Sequence, residues 1–300
     1  MSSRTVSRIA VLKGGTSAER EVSLDSGAAC AAALREKGYE VSEIDAGVDL
    51  AERLRDAAPE IVFNALHGRF GEDGCVQGLL EWLGLRYTHS GVLASALAMD
   101  KAASKRVFAA LGIPVAASVI ATAEAVQAGH VMPAPYVVKP NNEGSSVGIY
   151  LVKQGDTLPE LGPEMPDEVM VEAYVAGREL SVAVLDGTAQ AVTDIIVSGW
   201  YDYAAKYSEG GSEHIVPADL PAEIYAACMD FSERAHGALG CKGLSRADFR
   251  WDEAKGLAGL FILEVNTQPG MTATSLAPEQ AAHNGLDFAS LCAALVEGAV

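Results

Sequence analysis

Positive charge is scarce in this 300-residue chain: 22 lysines and arginines stand against 40 aspartates and glutamates, a formal net charge of -18 at pH 7. A nucleic acid or anionic membrane needs a basic stripe to replace phosphate counterions, and the sequence offers none. No apolar run reaches the ~20 residues that cross a bilayer. Only the short Ile9-Ala10-Val11-Leu12 follows the basic Met1-Ser2-Ser3-Arg4 start, so a cytoplasmic location is expected. The five cysteines, Cys30, Cys75, Cys228, Cys241 and Cys292, are odd in number and widely spaced. They fit neither a disulfide framework nor a zinc motif, and read as reduced structural thiols. Also missing are G-x-G-x-x-G and G-x-x-x-x-G-K-[ST], which excludes a dinucleotide fingerprint and a P-loop.

Apolar residues are plentiful instead, 49% of the chain, enough for two or three compact domains. Arg8 to Leu12 reads as a buried strand that ends in the turn Gly14-Gly15 and enters an alanine-rich helix running to Lys37-Gly38. Strand, glycine turn and helix make the first unit of an open α/β sheet, whose ligands bind beyond the carboxyl ends of the strands. Glu19 lies at that edge. It reads either as a residue favoured by the helix dipole or as a carboxylate that receives an ammonium group. A second unit follows, with strands at Glu40–Asp45 and Ile61–Leu66, a short helix near Leu50–Arg55, and a polar loop that opens with His67-Gly68. A histidine there occupies an active-site position, although a lone histidine often only satisfies local hydrogen bonds. Helices are expected over Val76–Leu83, Val92–Ala98 and Lys105–Leu111, and the βαβ rhythm stops near residue 100.

Further on, strands are expected over Pro135–Pro140, Ile149–Val152, Glu168–Val175, Leu180–Leu185 and Thr193–Val197. Gly144-Ser145-Ser146-Val147-Gly148 satisfies the hydrolase pattern G-x-S-x-G, with Ser146 as nucleophile and His214, His236 or His283 as base. That elbow must lead into a helix, whereas Val147 to Val152 is rich in β-branched residues. A Gly/Ser hairpin offering N–H groups and hydroxyls to phosphate is the better reading.

The stretch Glu264-Val265-Asn266-Thr267-Gln268-Pro269-Gly270-Met271-Thr272 organises the rest. It continues the apolar strand Gly259–Leu263, so Glu264 and Asn266 share a face. Upstream, Leu244–Trp251 is a second strand with Arg246, Asp248 and Arg250 on one face, and Asp252–Gly256 between them reads as a hairpin turn. A hairpin centred near Gly256 sets Asp248 opposite Glu264. Two facing carboxylates repel unless a divalent cation resolves the conflict, usually with substrate phosphates completing its shell. A solvated hairpin face is the alternative. The separated cations Lys101, Lys139, Lys206 and Arg246 complete a set suited to a nucleoside triphosphate held without a P-loop.

These residues resemble the D-alanine:D-alanine ligase family of the ATP-grasp superfamily. The resemblance is carried, in family order over nearly the whole chain, by Gly14–Ser23, Ala65-Leu66-His67-Gly68, Met99-Asp100-Lys101, Lys139-Pro140 with Glu143–Gly148, Tyr201-Asp202-Tyr203 with Lys206-Tyr207, and Glu264 with Asn266–Thr272. Gln268 departs from the pattern, where serine is more often expected, and Ser245 and Ala247 beside Arg246 differ in detail.

The resemblance implies an α/β fold, α+β in its C-terminal two-thirds, with three domains. These are an open parallel α/β sheet over residues 1–100, a central ATP-grasp domain over 101–182 and a catalytic domain over 183–300. It implies ATP as a substrate, with Lys101 and Lys139 on the α and β phosphates and Lys206 on the γ-phosphate. Glu172, Ala173, Tyr174 and Val175 would meet the adenine, and Glu179 the ribose. Asp248, Glu264 and Asn266 would hold two Mg²⁺ ions, or Mn²⁺. Glu19 would anchor the ammonium of a first D-alanine beside His67, Ser275 and Leu276 would contact the second, and Arg246 with the Gly270 N–H would meet the oxyanion. Ser145 and Tyr207 would close two loops toward Glu19. The implied reaction makes D-alanyl-D-alanine, ADP and phosphate through an acylphosphate and a tetrahedral intermediate, for peptidoglycan precursors, in a homodimer. Another ATP-grasp carboxylate–amine ligase or a D-alanine:D-lactate ligase is the alternative, and a silent nucleotide-binding regulator is the alternative outside enzymes.

Overall fold

The computed structural model describes residues 7–144, 148–163, 165–197, 211–272 and 275–299. A parallel sheet opens the chain, in the order β2-β1-β3-β4: β1 (Arg8–Lys13), β2 (Glu40–Asp45), β3 (Ile61–Asn64) and β4 (Arg86–Tyr87). Alternate residues of β1 point to opposite faces. Ile9 and Val11 pack with Leu34 of α1 (Arg20–Glu36). Ala10 and Leu12 pack with Leu54 of α2 (Leu50–Ala57) and Leu80 of α3 (Cys75–Trp82). Covering on both faces is why the central strands read as continuous apolar runs. The strand ends therefore present Gly14-Gly15 and the loop after Asn64 at one edge.

Helices α4 (Val92–Met99) and α5 (Lys101–Ala110) follow. Asp100 separates them: its carboxylate accepts from the Ala103 N–H at 2.8 Å, an N-cap that starts α5 at Lys101, four residues earlier than the apolar pattern predicts. Ala94, Ala98 and Phe108 of this pair sit in the core under the last sheet.

The next sheet is antiparallel, in the order β5-β8-β6-β7: β5 (Ser118–Thr122), β6 (Tyr136–Pro140), β7 (Tyr150–Val152) and β8 (Glu168–Ala173), with α6 (Ala123–Ala128) between β5 and β6. Because β6 and β7 are antiparallel partners, the 141–149 segment joins strand to strand, and the hydrolase elbow is excluded. Ser146 itself lies outside the described residues.

The last sheet runs β11-β10-β9-β12-β13: β9 (Arg178–Leu185), β10 (Thr188–Ile196), β11 (Glu213–Ile215), β12 (Leu244–Trp251) and β13 (Leu260–Asn266). On one face Val182, Val184 and Phe249 pack with Ile224, Cys228 and Ala235 of α7 (Ala222–Leu239). On the other, Ala183 and Leu244 meet Ala277 and Ala281 of α8 (Leu276–His283). Leu291 and Leu295 of α9 (Phe288–Glu297) join the same cluster as β1, tying the end of the chain to the first sheet. His89 is buried at that junction, edge-on to Phe63 with ring centroids 5.7 Å apart, and its φ of 70° is left-handed.

The β12–β13 connection is not the tight turn expected from the sequence. Glu253–Gly259 forms a 3₁₀ segment, and the ladder contains a bulge: Asp248 pairs with Glu264, but Phe249 pairs with Ile262. Leu263 is the extra residue. Two neighbouring side chains, Leu263 and Glu264, consequently line the same cleft.

Candidate active site

Between the two antiparallel sheets lies a cleft lined from both, by Val137, Lys139 and Glu172 on one side and Glu179, Asp248 and Glu264 on the other. Asp248 and Glu264 stand opposite each other on its floor, as expected from the hairpin. Asp248 is engaged on both oxygens: Arg246 Nε donates to Oδ1 at 2.8 Å and Arg246 Nη2 to Oδ2 at 2.7 Å, while Ser181 Oγ donates to Oδ1 at 2.7 Å. This fork fixes the plane of the guanidinium. Glu264 meets Lys101 Nζ at 3.0 Å, and that lysine also donates to the Glu143 carbonyl at 2.7 Å. Asn266 lies across from Arg246, and its Oδ1 accepts from the Gln268 N–H at 2.6 Å.

Among the described residues no group of three or more His, Cys, Asp or Glu converges. The donor set here is two carboxylates and one amide oxygen, all hard. Mg²⁺ binds through one or two carboxylates and keeps water or phosphate oxygens for the rest, so these residues fit it.

Above the floor is a buried ion triad. Lys139 Nζ donates to Glu172 Oε2 at 2.6 Å, and Lys105 Nζ pairs with the other carboxylate oxygen. Burial acts against every charge here, but the two lysines outweigh it and hold the Glu172 carboxyl below the usual range. Burial likewise opposes the Lys139 charge, yet Glu172 and Glu264 carry its pKa above the ordinary lysine value. For Lys105 burial wins, and its pKa is lowered. The chain from Glu172 through Ala173, Tyr174 and Val175 forms the cleft's edge and leads to Glu179. Arg250 organises that edge: it donates to the Val175 carbonyl at 3.1 Å, pairs with Glu179 at 3.2 Å, and lies 5.7 Å from the centre of the Tyr174 ring.

A second polar cluster lies at the edge of the parallel sheet. Glu19 is buried there in the N-cap position of α1, and its side chain makes no cap hydrogen bond. Two glycines crowd it. A Cβ on Gly68, whose φ is +68°, would lie 2.5 Å from Glu19 Oε2, and one on Gly144 would lie 3.1 Å away. Gly144 also lines the cleft, so the loop after β6 reaches both the cleft and Glu19. His67 is buried and fixed at both nitrogens, by Glu72 at 3.2 Å and by Ser26 Oγ at 3.1 Å. Ser26 Oγ in turn accepts from the Met271 N–H at 3.4 Å, which ties the Gly270–Met271 turn to His67 through Ser26. Ser275 Oγ accepts from the Thr272 N–H at 3.1 Å, a Cβ on Gly270 would lie 3.0 Å from that hydroxyl, and Leu276 opens α8 beside it.

Ser145, Lys206 and Tyr207 lie outside the described residues. The sequence reading missed Lys105 and gave Arg250 no role. Each had a signal: Lys105 is one helical turn from Lys101 on α5, and Arg250 shares the strand face of Arg246 and Asp248.

Two family models match the chain: D-ala D-ala ligase N-terminus over residues 43–90 and D-ala D-ala ligase C-terminus over residues 107–297. A D-alanine--D-alanine ligase of Cereibacter sphaeroides is 66% identical over 299 residues, 99% of this chain and 97% of that protein. One of Ruegeria pomeroyi is 65% identical over 300 residues, 100% of this chain and 98% of its own length. The crystal structure of D-alanine--D-alanine ligase from Bacillus anthracis complexed with ATP superposes with a TM-score of 0.79 at 29% identity, covering 97% of both chains. Another structure of the Bacillus anthracis ligase gives 0.80 at 32% identity, with the same coverage.

Proposed function

The chain belongs to the D-alanine–D-alanine ligase family, and we propose how its residues divide the work of that ATP-dependent reaction. The enzyme joins two D-alanines to D-alanyl-D-alanine for peptidoglycan synthesis, with ADP and phosphate as the other products. The observation that carries the division of roles is the convergence of Lys101, Lys139, Asp248 and Glu264 on one cleft, whose loop at Gly144 also touches Glu19.

In this reading ATP lies in the cleft with its base along Glu172–Val175, its ribose at Glu179 and its phosphates toward Lys101 and Lys139. Asp248, Glu264 and Asn266 would hold two Mg²⁺ ions, which neutralise phosphate charge when bound. Glu19 receives the ammonium of the first D-alanine, with His67 shaping the pocket. The carboxylate of that D-alanine attacks the γ-phosphorus, ADP leaves, and an acylphosphate results. The amine of the second D-alanine, placed by Ser275 and Leu276, attacks the acyl carbon. Arg246 and the Gly270 N–H stabilise the oxyanion that develops, and phosphate departs with the former carboxyl oxygen. From the resemblance, Lys206 would meet the γ-phosphate, and Ser145 and Tyr207 would close over Glu19 to exclude water from the acylphosphate.

A homodimer in the cytoplasm, and domains spanning 1–100, 101–182 and 183–300, complete the reading. Among the described residues no helix is long and apolar enough to cross a membrane. The test is phosphate release from ATP and Mg²⁺ with D-alanine, L-alanine, D-lactate or no addition, followed by product mass. D-alanine-dependent release with a dipeptide product is expected. A depsipeptide, or release without any acceptor, would overturn the substrate assignment.

A further inference from the structure

Asn64 and Gln268 are far apart in sequence and both are buried. Asn64 ends β3, and its amide shapes the loop that carries His67: Oδ1 accepts from the Leu66 N–H at 3.2 Å, and Nδ2 donates to the Gly71 carbonyl at 3.0 Å. Gln268 lies two residues past Asn266, and its N–H holds the Asn266 side-chain oxygen at 2.6 Å. The two amides bond each other reciprocally. Gln268 Nε2 donates to the Asn64 backbone carbonyl, and Asn64 Nδ2 donates to Gln268 Oε1 at 3.3 Å.

We propose that Gln268 is a positioning residue that couples the pocket of the first D-alanine to the metal-ligand end of β13, so that amino acid and nucleotide bind cooperatively. The proposal rests on the site assignments above. Buried hydrogen bonds are directional, and each is costly to leave unpaired. A ligand that orders the His67 loop therefore orders Asn266 through the amide pair, and the converse holds with the same factor. A serine at this position, as the family pattern more often has, ends two bonds closer to the backbone and cannot make the reciprocal pair.

The experiment measures, by titration calorimetry, binding of adenylyl imidodiphosphate with Mg²⁺ to the full chain, with and without saturating D-alanine. It compares wild type, Gln268→Met and Gln268→Ser, with melting temperatures recorded as a check on folding. In wild type D-alanine should tighten the nucleotide about fivefold or more. In both variants that factor should fall below about twofold, while nucleotide affinity without D-alanine changes by less than about threefold. Serine is small and carries a hydroxyl, so it keeps the test available should the methionine variant misfold. A wild-type factor preserved in either folded variant, or no coupling in wild type, overturns the proposal. Failure of wild type to form D-alanyl-D-alanine from ATP and D-alanine would instead overturn the reading of function, so the two failures are distinguishable.

Discussion

Replacing Lys105 with methionine perturbs the buried triad without touching the residues assigned to the phosphates. The side chains of Lys105 and Glu172 are each 5% exposed, and that of Lys139 is 10% exposed. Removing one partner of a buried ion pair costs about 3–5 kcal/mol, chiefly because the other charge is stranded. Here Lys139 stays on Glu172, so a loss of about 2–3 kcal/mol in urea melts is expected for K105M. Nucleotide binding suffers separately. In wild type Lys139 can turn toward a phosphate while Lys105 still neutralises Glu172. In K105M the same turn leaves a carboxylate buried without a cation. That penalty should weaken adenylyl imidodiphosphate about 10- to 100-fold, or about 1.4–2.8 kcal/mol. The double variant K105M/E172Q removes the stranded charge and should recover most of that affinity, a non-additivity that calorimetry reads directly. Wild-type affinity in K105M, or equal weakness in the single and double variants, would refute the role given to Lys105.

Arg246→Ala should lower kcat by about 10²–10³-fold with little change in nucleotide binding, as removal of an oxyanion donor does; a loss under about tenfold would remove Arg246 from that role. Gly68→Ala places a Cβ 2.5 Å from Glu19 Oε2 at a φ of +68°. The strain alone is about 1–2 kcal/mol, so KM for D-alanine should rise about tenfold while KM for ATP stays near wild type. An equal rise in both would mean that Gly68 supports only the fold. Burial pushes the His89 imidazole from the ordinary 6.5 down to about 4, against a smaller opposing pull from the Leu244 backbone. Between those values the unfolded chain binds a proton that the folded one refuses, so stability falls as pH drops from 6.5 toward 4, by about 3 kcal/mol through this residue. Urea melts of His89→Asn, which tolerates the left-handed φ, should show a flatter pH dependence over that window; an unchanged slope would contradict the assignment.

Much of this arrangement is legible in the sequence because it obeys local rules. The runs at Ile9–Leu12 and Ile61–Phe63 are apolar at every position, which marks strands covered on both faces. The alternation in Leu244–Trp251 and the apolar run Leu260–Leu263 that leads into Glu264 mark two strands of a hairpin, and its register brings Asp248 to Glu264. What local rules do not carry is the partner of a side chain. Lys105 reads as one more polar residue on a helix until β8 of another sheet brings Glu172 against it. Arg250 acquires its role from the segment 174–179, which only the fold places beside it. Strand β5 gives a weak signal because neither face is fully buried, so no alternation develops in Ser118–Thr122. The first turn of α8 contains Pro278, which blurs the helical pattern there. The amide pair of Asn64 and Gln268 follows no sequence rule at all.

The bulge at Leu263 bears on which changes of chain length this hairpin can absorb. A chain lacking that single residue would still pair Asp248 with Glu264 and Phe249 with Ile262, now as a continuous ladder, and its core face would be unaltered. Folding does not demand the residue; the apolar wall of the cleft does. A deletion within Leu260–Ile262 would be absorbed by the bulge in the same way, whereas loss of Val265 would bring Asn266 into its place on the core face. The bulge is thus the place where the enzyme can lose a codon and exchange one wall of the cleft for an emptier one, while the strands on either side continue to fold as before.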